Sequence, residues 1–196
     1  MKDHKHEVEF RALISRDIFD KFLAEARDSI KKTIKPLSIT DAYYCAKSVT
    51  SFKEIEMDKV GSYSLRLRCE QDSDKENSSM NTKVIQSEGD HNAWLEHEIN
   101  ISSFTEAERI LNSIGFKKFF ELRKKRYSFH DHGVEVCLED IHNFQPAIEV
   151  EMMTNHNNIE KAKNDLIIFL DKHGIKKDMI VKKSITNILM REKSRF

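Results

Sequence analysis

The chain has 196 residues, of which 34% are charged and 39% apolar, and its 33 Lys and Arg equal its 33 Asp and Glu. That length suits one domain, expected over residues 1–196, and allows a sizeable core. The charge balance excludes a global basic field for nucleic acid or anionic membrane, and no apolar run is long enough to span a bilayer. Cys45, Cys69 and Cys137 lack metal-ligand spacing and read as reduced thiols. Met1-Lys2-Asp3-His4 offers no signal-peptide apolar region, so the expected location is cytoplasmic.

The first strand is predicted at Glu7 to Leu13, where acidic and apolar residues alternate. Ser15 is placed as N-cap of a helix with the stripe Ile18, Phe19, Phe22, Leu23, Ala26 and Ile30, closed by Pro36. Strands are expected near 39–47, 62–69 and 81–86, with the polar stretch 71–79 as a loop. A fifth strand over 94–101 leads into a helix ending at Ser113, with Thr105 and Glu108 as capping box and Gly115 as C-terminal cap. Three strands follow, near 118–129, 134–141 and 147–153, the first two joined by a hairpin turn at His130-Asp131-His132-Gly133. A helix over 159–173, stopped by Gly174, and a last helix near 184–192 complete the chain. Strand, helix, three strands therefore occurs twice, as in a duplication. The expected architecture is α+β: eight mainly antiparallel strands closed into a barrel, with helices outside.

Five like-charge pairs stand two residues apart: Glu7/Glu9, Arg66/Arg68, Glu96/Glu98, Lys124/Arg126 and Glu149/Glu151. In a strand, such pairs share one face, and their apolar neighbours share the other. An ordinary wet sheet face accounts for any one of them. Together they differ from that pattern, because the signs are segregated by strand and like charges repel unless opposite charge lies across from them. A dry interior is excluded by magnitude. Each poorly compensated buried ion costs several kcal/mol, and seven inward acids would exceed the roughly 5–15 kcal/mol net stability of a domain. The charged face must therefore be hydrated and mixed in sign. Arg suits phosphate oxygens, while carboxylates can hold a hard divalent cation that bridges to phosphate. The combination points to a metal–polyphosphate site. Arg123 and Lys125 alternate away from this face, and His4, His6, His130 and His132, at a terminus and a turn, are expected in solvent.

These residues resemble the CYTH superfamily, the triphosphate tunnel metalloenzymes. Glu7-Val8-Glu9-Phe10-Arg11 is similar to its N-terminal E-x-E-x-K, with Arg in place of Lys. Thr40-Asp41-Ala42-Tyr43-Tyr44 resembles its second strand, Leu65-Arg66-Leu67-Arg68 its L-R-x-R, Thr82-Lys83 its T-K, and Glu96-His97-Glu98 its fifth-strand E-x-E. Ile114-Gly115-Phe116, Lys124-Lys125-Arg126, Glu139 and Glu149-Val150-Glu151 continue the match in the same order. The family's Leu-Gly before the last strand and its C-terminal Ser-Tyr are replaced by Asn143-Phe144-Gln145-Pro146 and Ser184-Ile185.

The resemblance implies a tunnel that binds a triphosphate. It assigns Glu7, Glu9, Glu149 and Glu151 to Mg2+ or Mn2+, with Glu98 and Glu139 as lesser candidates. Arg11, Arg66, Arg68, Lys83, Lys124 and Arg126 are assigned to phosphates. Glu9, Lys83 and Glu151 are the expected catalytic group, and Tyr43 and Tyr44 either tune the step or pack on the outer wall. The implied activity is metal-dependent hydrolysis of tripolyphosphate, thiamine triphosphate or a nucleoside triphosphate. Adenylate cyclase chemistry and a non-catalytic polyphosphate-binding module are the alternatives. The expected partner is a small triphosphate or nucleotide, without membrane or nucleic acid; exposed sheet or helix surfaces leave a homodimer open.

Overall fold

The computed structural model describes the backbone of residues 5–30, 34–56, 59–73, 75–85, 94–155, 158–181 and 185–193. The elements in chain order are β1 (Lys5–Leu13), α1 (Arg16–Ile30), β2 (Leu37–Ala46), β3 (Tyr63–Gln71), β4 (Glu76–Ile85), β5 (Trp94–Ile101) and α2 (Phe104–Ser113). They continue with β6 (Phe116–Asp131), β7 (Val134–Ile141), β8 (Ala147–Asn155), α3 (Ile159–Lys172), β9 (Ile180–Val181) and α4 (Ile185–Lys193). This is the expected α+β class: mainly antiparallel strands with four helices. Strand, helix, three strands does occur twice, and the two-residue β9 adds a strand. The last helix was expected from Ser184, and the fourth strand to Gln86; both residues, like His4, lie outside the described ones.

Two expectations are corrected. The stretch 71–79 is a loop only between Gln71 and Glu76: β4 begins at Glu76 and pairs antiparallel with β3, with Gln71 opposite Glu76 and Arg66 opposite Asn81. Its polar residues hid the alternation, yet Ser79 and Asn81 are buried. Backbone ladder bonds hold this strand, with Met80 packed against the core and Ile85 buried as its apolar contacts. The second helix is capped two residues earlier than the expected Thr105. Ser103 is the N-cap and accepts a bond from the Glu106 amide at 3.2 Å. Glu108 instead accepts from the Tyr44 hydroxyl at 2.9 Å.

The chain divides into two compact units. One comprises Met1–Pro36 and Lys125–Ile185; the other comprises Leu37–Lys124 and Thr186–Phe196. Each draws strands from both sequence repeats, and β6 contributes to both. In the first unit the strand order is β6, β7, β8, β1, β9. Val8, Ala12, Val136, Leu138, Ile148 and Val150 form one apolar sheet face, covered by Phe19 and Phe22 of α1 and Leu166, Phe169 and Leu170 of α3. In the second unit the order is β5, β4, β3, β2, β6. Ala42, Tyr44, Leu65 and Leu67 pack there with Leu111 of α2. Full burial of each large apolar side chain contributes about 1.5–3 kcal/mol, which fixes the strand register by facing. Residues of opposite parity are thereby presented on the other face of each sheet. Among the described residues, no helix is long and apolar enough to cross a membrane.

Candidate functional site

In the first unit, β1 and β8 pair so that Glu9 lies opposite Glu151 and Arg11 opposite Glu149. On the other side of β8, Glu135 of β7 lies opposite Glu151, and Cys137 opposite Glu149. All share the face turned away from the apolar core. Carboxylate oxygens of Glu9, Glu149 and Glu151 lie within 4.8 Å of one another, with all three residues partly buried. Arg11 Nε donates to Glu149 Oε2 at 2.9 Å, and its Nη2 contacts Glu9. Burial disfavours the Arg11 charge, but attraction to Glu149 and Glu9 outweighs this and raises its pKa.

Further along the same face, Arg126 Nε and Nη2 donate to Glu139 Oε1 at 2.9 and 2.6 Å. Glu139, only 7% exposed, is therefore paired with Arg126 and stands outside the three-carboxylate group. His130 Nε2 lies 3.4 Å from Glu135 Oε2 and is 74% exposed, in solvent as expected. Ser128 Oγ and Cys137 Sγ are 3.4 Å apart, and burial pushes the thiol pKa up. The Glu7 backbone pairs with Met153, but its side chain lies outside the described residues.

In the second unit, the face opposite the core carries a basic cluster around one buried acid. Asp41 is 1% exposed and pairs across the strands with Arg68. Arg68 Nε and Nη2 donate to its two oxygens at 2.6 and 2.8 Å. Burial disfavours the carboxylate, yet the Arg68 bonds and the charges of Arg68, Lys124 and Arg66 hold its pKa below the ordinary value. Arg66 Nε stands 3.8 Å from Asp41 Oδ1, and Arg66 Nη2 3.7 Å from Glu98 Oε2. Lys124 is 8% exposed. The Asn81 amide donates to Glu96 at 2.5 Å and Glu98 at 3.3 Å, while Lys83 Nζ lies 3.1 Å from Glu96. Hydrogen bonding to Asn81 and attraction to Lys83 outweigh desolvation and lower the Glu96 pKa.

The expected residues are thus distributed. Glu9, Arg11, Arg126, Glu139, Glu149 and Glu151 belong to the first unit. Arg66, Arg68, Lys83, Glu98 and Lys124 belong to the second. The tyrosines separate: Tyr44 packs in the core, whereas Tyr43 lies opposite Arg66 and bonds to Thr186 of α4. Tyr43 is therefore not an outer-wall residue. Sequence reasoning assigned no role to Asp41, Asn81, Glu135 or Cys137. Asp and Asn are depleted in strands, so Asp41 within an aromatic strand and Asn81 after Ser78-Ser79 were detectable anomalies. Glu135 was detectable by its parity with Glu139. Arg123 and Lys125 are exposed, as alternation predicted.

A CYTH domain profile matches residues 5–180. The chain belongs to the CYTH family. No curated protein matches it. Among solved structures, this CYTH domain is similar to PH1819 from Pyrococcus horikoshii OT3, with 20% identity and a TM-score of 0.70, covering 96% of this chain and 100% of that one. A candidate adenylate cyclase from Vibrio parahaemolyticus has 17% identity and a TM-score of 0.65, covering 93% and 97%. HpAC1 from Hippeastrum, described as an adenylyl cyclase candidate with dominant triphosphatase activity, has 16% identity and a TM-score of 0.61, covering 97% of each chain. At these identities the likeness establishes the fold of the CYTH domain.

The carboxylates fit a divalent cation on chemical grounds. Glu9, Glu149 and Glu151 are hard oxygen donors, the type that Mg2+ and Mn2+ take. Like charges directly opposite in a sheet are unfavourable, so the Glu9–Glu151 pairing is one that a cation would relieve.

Proposed function

We propose that this CYTH protein is a divalent-metal-dependent triphosphate phosphohydrolase, acting as one functional domain on tripolyphosphate, thiamine triphosphate or a nucleoside triphosphate. The observation that carries this reading is the carboxylate group Glu9, Glu149 and Glu151 in register with Arg11, in a chain of this family. Those three carboxylates, joined by Glu7, would hold Mg2+ or Mn2+. The ion, when bound, supplies charge neutralisation for phosphate oxygens and polarises water. Arg11 is held by Glu149 and keeps its charge at all working pH values, so it can orient a phosphate without titrating. Arg126, fixed by Glu139, has the same preorganisation. Arg66, Arg68, Lys83 and Lys124 supply the remaining positive charge, the last of them with little exposure to water. Phosphoryl transfer needs little covalent help from protein, so positioning and electrostatics carry most of the rate. Glu9, Lys83 and Glu151 are assigned to the catalytic group, with Lys83 also assigned to phosphate.

Adenylate cyclase activity is the second reading, favoured by the description of the Vibrio parahaemolyticus neighbour. There the 3′-hydroxyl of ATP attacks the α-phosphorus and pyrophosphate leaves. Purified protein incubated with Mg2+ or Mn2+ separates the two readings. Phosphate release from tripolyphosphate, thiamine triphosphate or nucleotides is expected. Cyclic AMP without phosphate release would favour the cyclase. Binding of tripolyphosphate without turnover would indicate a binding module.

A further inference from the structure

We propose that Asp41 is a positioning residue that divides the work of the two β3 arginines, fixing Arg68 so that Arg66 is the guanidinium presented to a phosphate oxygen. The inference rests on the triphosphate reading and deepens it. Asp41, 1% exposed, has both oxygens engaged by the Nε/Nη2 edge of Arg68. That edge is the planar fork with which Arg recognises phosphate bidentately, and here it is filled by protein. Arg68 Nη1 faces Glu70 at 3.6 Å. With its Nε/Nη2 edge on Asp41 and its Nη1 toward Glu70, Arg68 directs all three nitrogens at carboxylates, whereas Arg11 directs only Nε and Nη2 so.

Arg66 differs on the same strand. It is 13% exposed, and its contacts with Asp41 and Glu98 are 3.8 and 3.7 Å, beyond hydrogen-bond reach. Its Nε is buried and has no hydrogen-bond acceptor among the described residues. A buried donor without an acceptor is unfavourable, and Arg66, held by no aligned carboxylate, would gain that partner by turning its guanidinium to an anionic oxygen. Asp41 does not supply it, because its Oδ1 stands 3.8 Å from Arg66 Nε. Its negative charge within a phosphate-binding cluster is then explained by geometry: it holds one arginine and, through Arg68, keeps the neighbouring space for Arg66. Charge alone and positioning make opposite forecasts. Removing an anion should strengthen phosphate binding if only charge matters, and weaken it if Asp41 organises the arginines.

The test uses the full chain, with tripolyphosphate as probe and no metal added. In the unmodified protein, NMR of arginine Nε–H groups should show Arg66 shifting on titration while Arg68 stays nearly fixed. By calorimetry, Asp41→Asn should weaken binding about tenfold despite the added positive charge, as expected for loss of an aligned charge-assisted bond. Arg66→Lys should weaken binding more than Arg68→Lys. A folded Asp41→Asn protein that binds as tightly as the unmodified one, or tighter, overturns the inference, as does a larger shift at Arg68 than at Arg66. If Asp41→Asn does not fold, the NMR titration and the two lysine variants decide. Failure of the unmodified protein to bind tripolyphosphate at all would sink the triphosphate reading together with this inference. Binding with the arginine roles reversed would sink the inference alone.

Discussion

Glu151 carries opposite consequences for stability and for metal binding. It stands directly across from both Glu9 and Glu135. Without a cation, neutralising it removes cross-strand repulsion, and Glu151→Gln should stabilise the metal-free protein by about 0.2–1 kcal/mol. The same change removes a proposed ligand and should lower Mn2+ affinity at least about tenfold, with a matching loss of phosphate release. Urea unfolding in chelator and a Mn2+ titration read the two effects; an unchanged Mn2+ affinity would remove Glu151 from the metal set. Arg11 and Arg126 need a different interpretation from a surface lysine. Each is anchored by a carboxylate, so truncation leaves Glu149 or Glu139 without that partner, and lost activity includes this reorganisation.

At the scale of elements, caps and turns set boundaries that hydrophobic periodicity leaves loose. Ser103 satisfies the Glu106 amide at the start of α2, and Ser103→Ala should cost about 1 kcal/mol in urea unfolding. Thr105→Ala should cost less, because the helix begins at Phe104, so Thr105 lies inside its first turn. The β6–β7 hairpin turns through His132 and Gly133, both at positive φ (49° and 82°). Nothing crowds a Cβ at Gly133, so backbone strain alone sets the penalty. Gly133→Ala should destabilise by about 1–2 kcal/mol, seen as a lower thermal midpoint. A midpoint equal to that of the unmodified protein would mean the turn relaxes to another type. β4 teaches the complementary lesson. Its serines and asparagines carry no apolar period, and pairing with β3 and β5 made it a strand.

At the scale of the whole molecule, stability should respond to pH through His173. The imidazole stacks on Phe22 at 3.8 Å between ring centroids and lies beside Phe169. Nδ1 is 3.4 Å from Glu25, while Nε2 is buried without a hydrogen-bond partner among the described residues. Burial pushes its pKa down, and Glu25 only partly opposes this. The folded protein therefore binds the proton less readily than the unfolded chain, whose histidine titrates near about 6.5. This contribution is fully present above that value and is lost as pH falls toward the depressed folded value. Denaturant midpoints from pH 7.5 down to 5 should decline, and His173→Gln should flatten the decline; a parallel curve would exclude His173 as its source. The alternating charge pairs were legible from the amino-acid order because strand parity is a local property. The alternation of Glu7, Glu9 and Arg11, and of Glu149 and Glu151, with apolar neighbours already determined the strands, the faces and the family. Partner choice was not legible. That Glu9 meets Glu151, that Glu139 is paired with Arg126, that Asp41 takes Arg68, and that Tyr43 and Tyr44 part ways all depend on strand register. Register is set by how apolar faces pack under α1, α2 and α3, and the packing under α1 and α3 joins residues more than a hundred positions apart. Tertiary structure decided it.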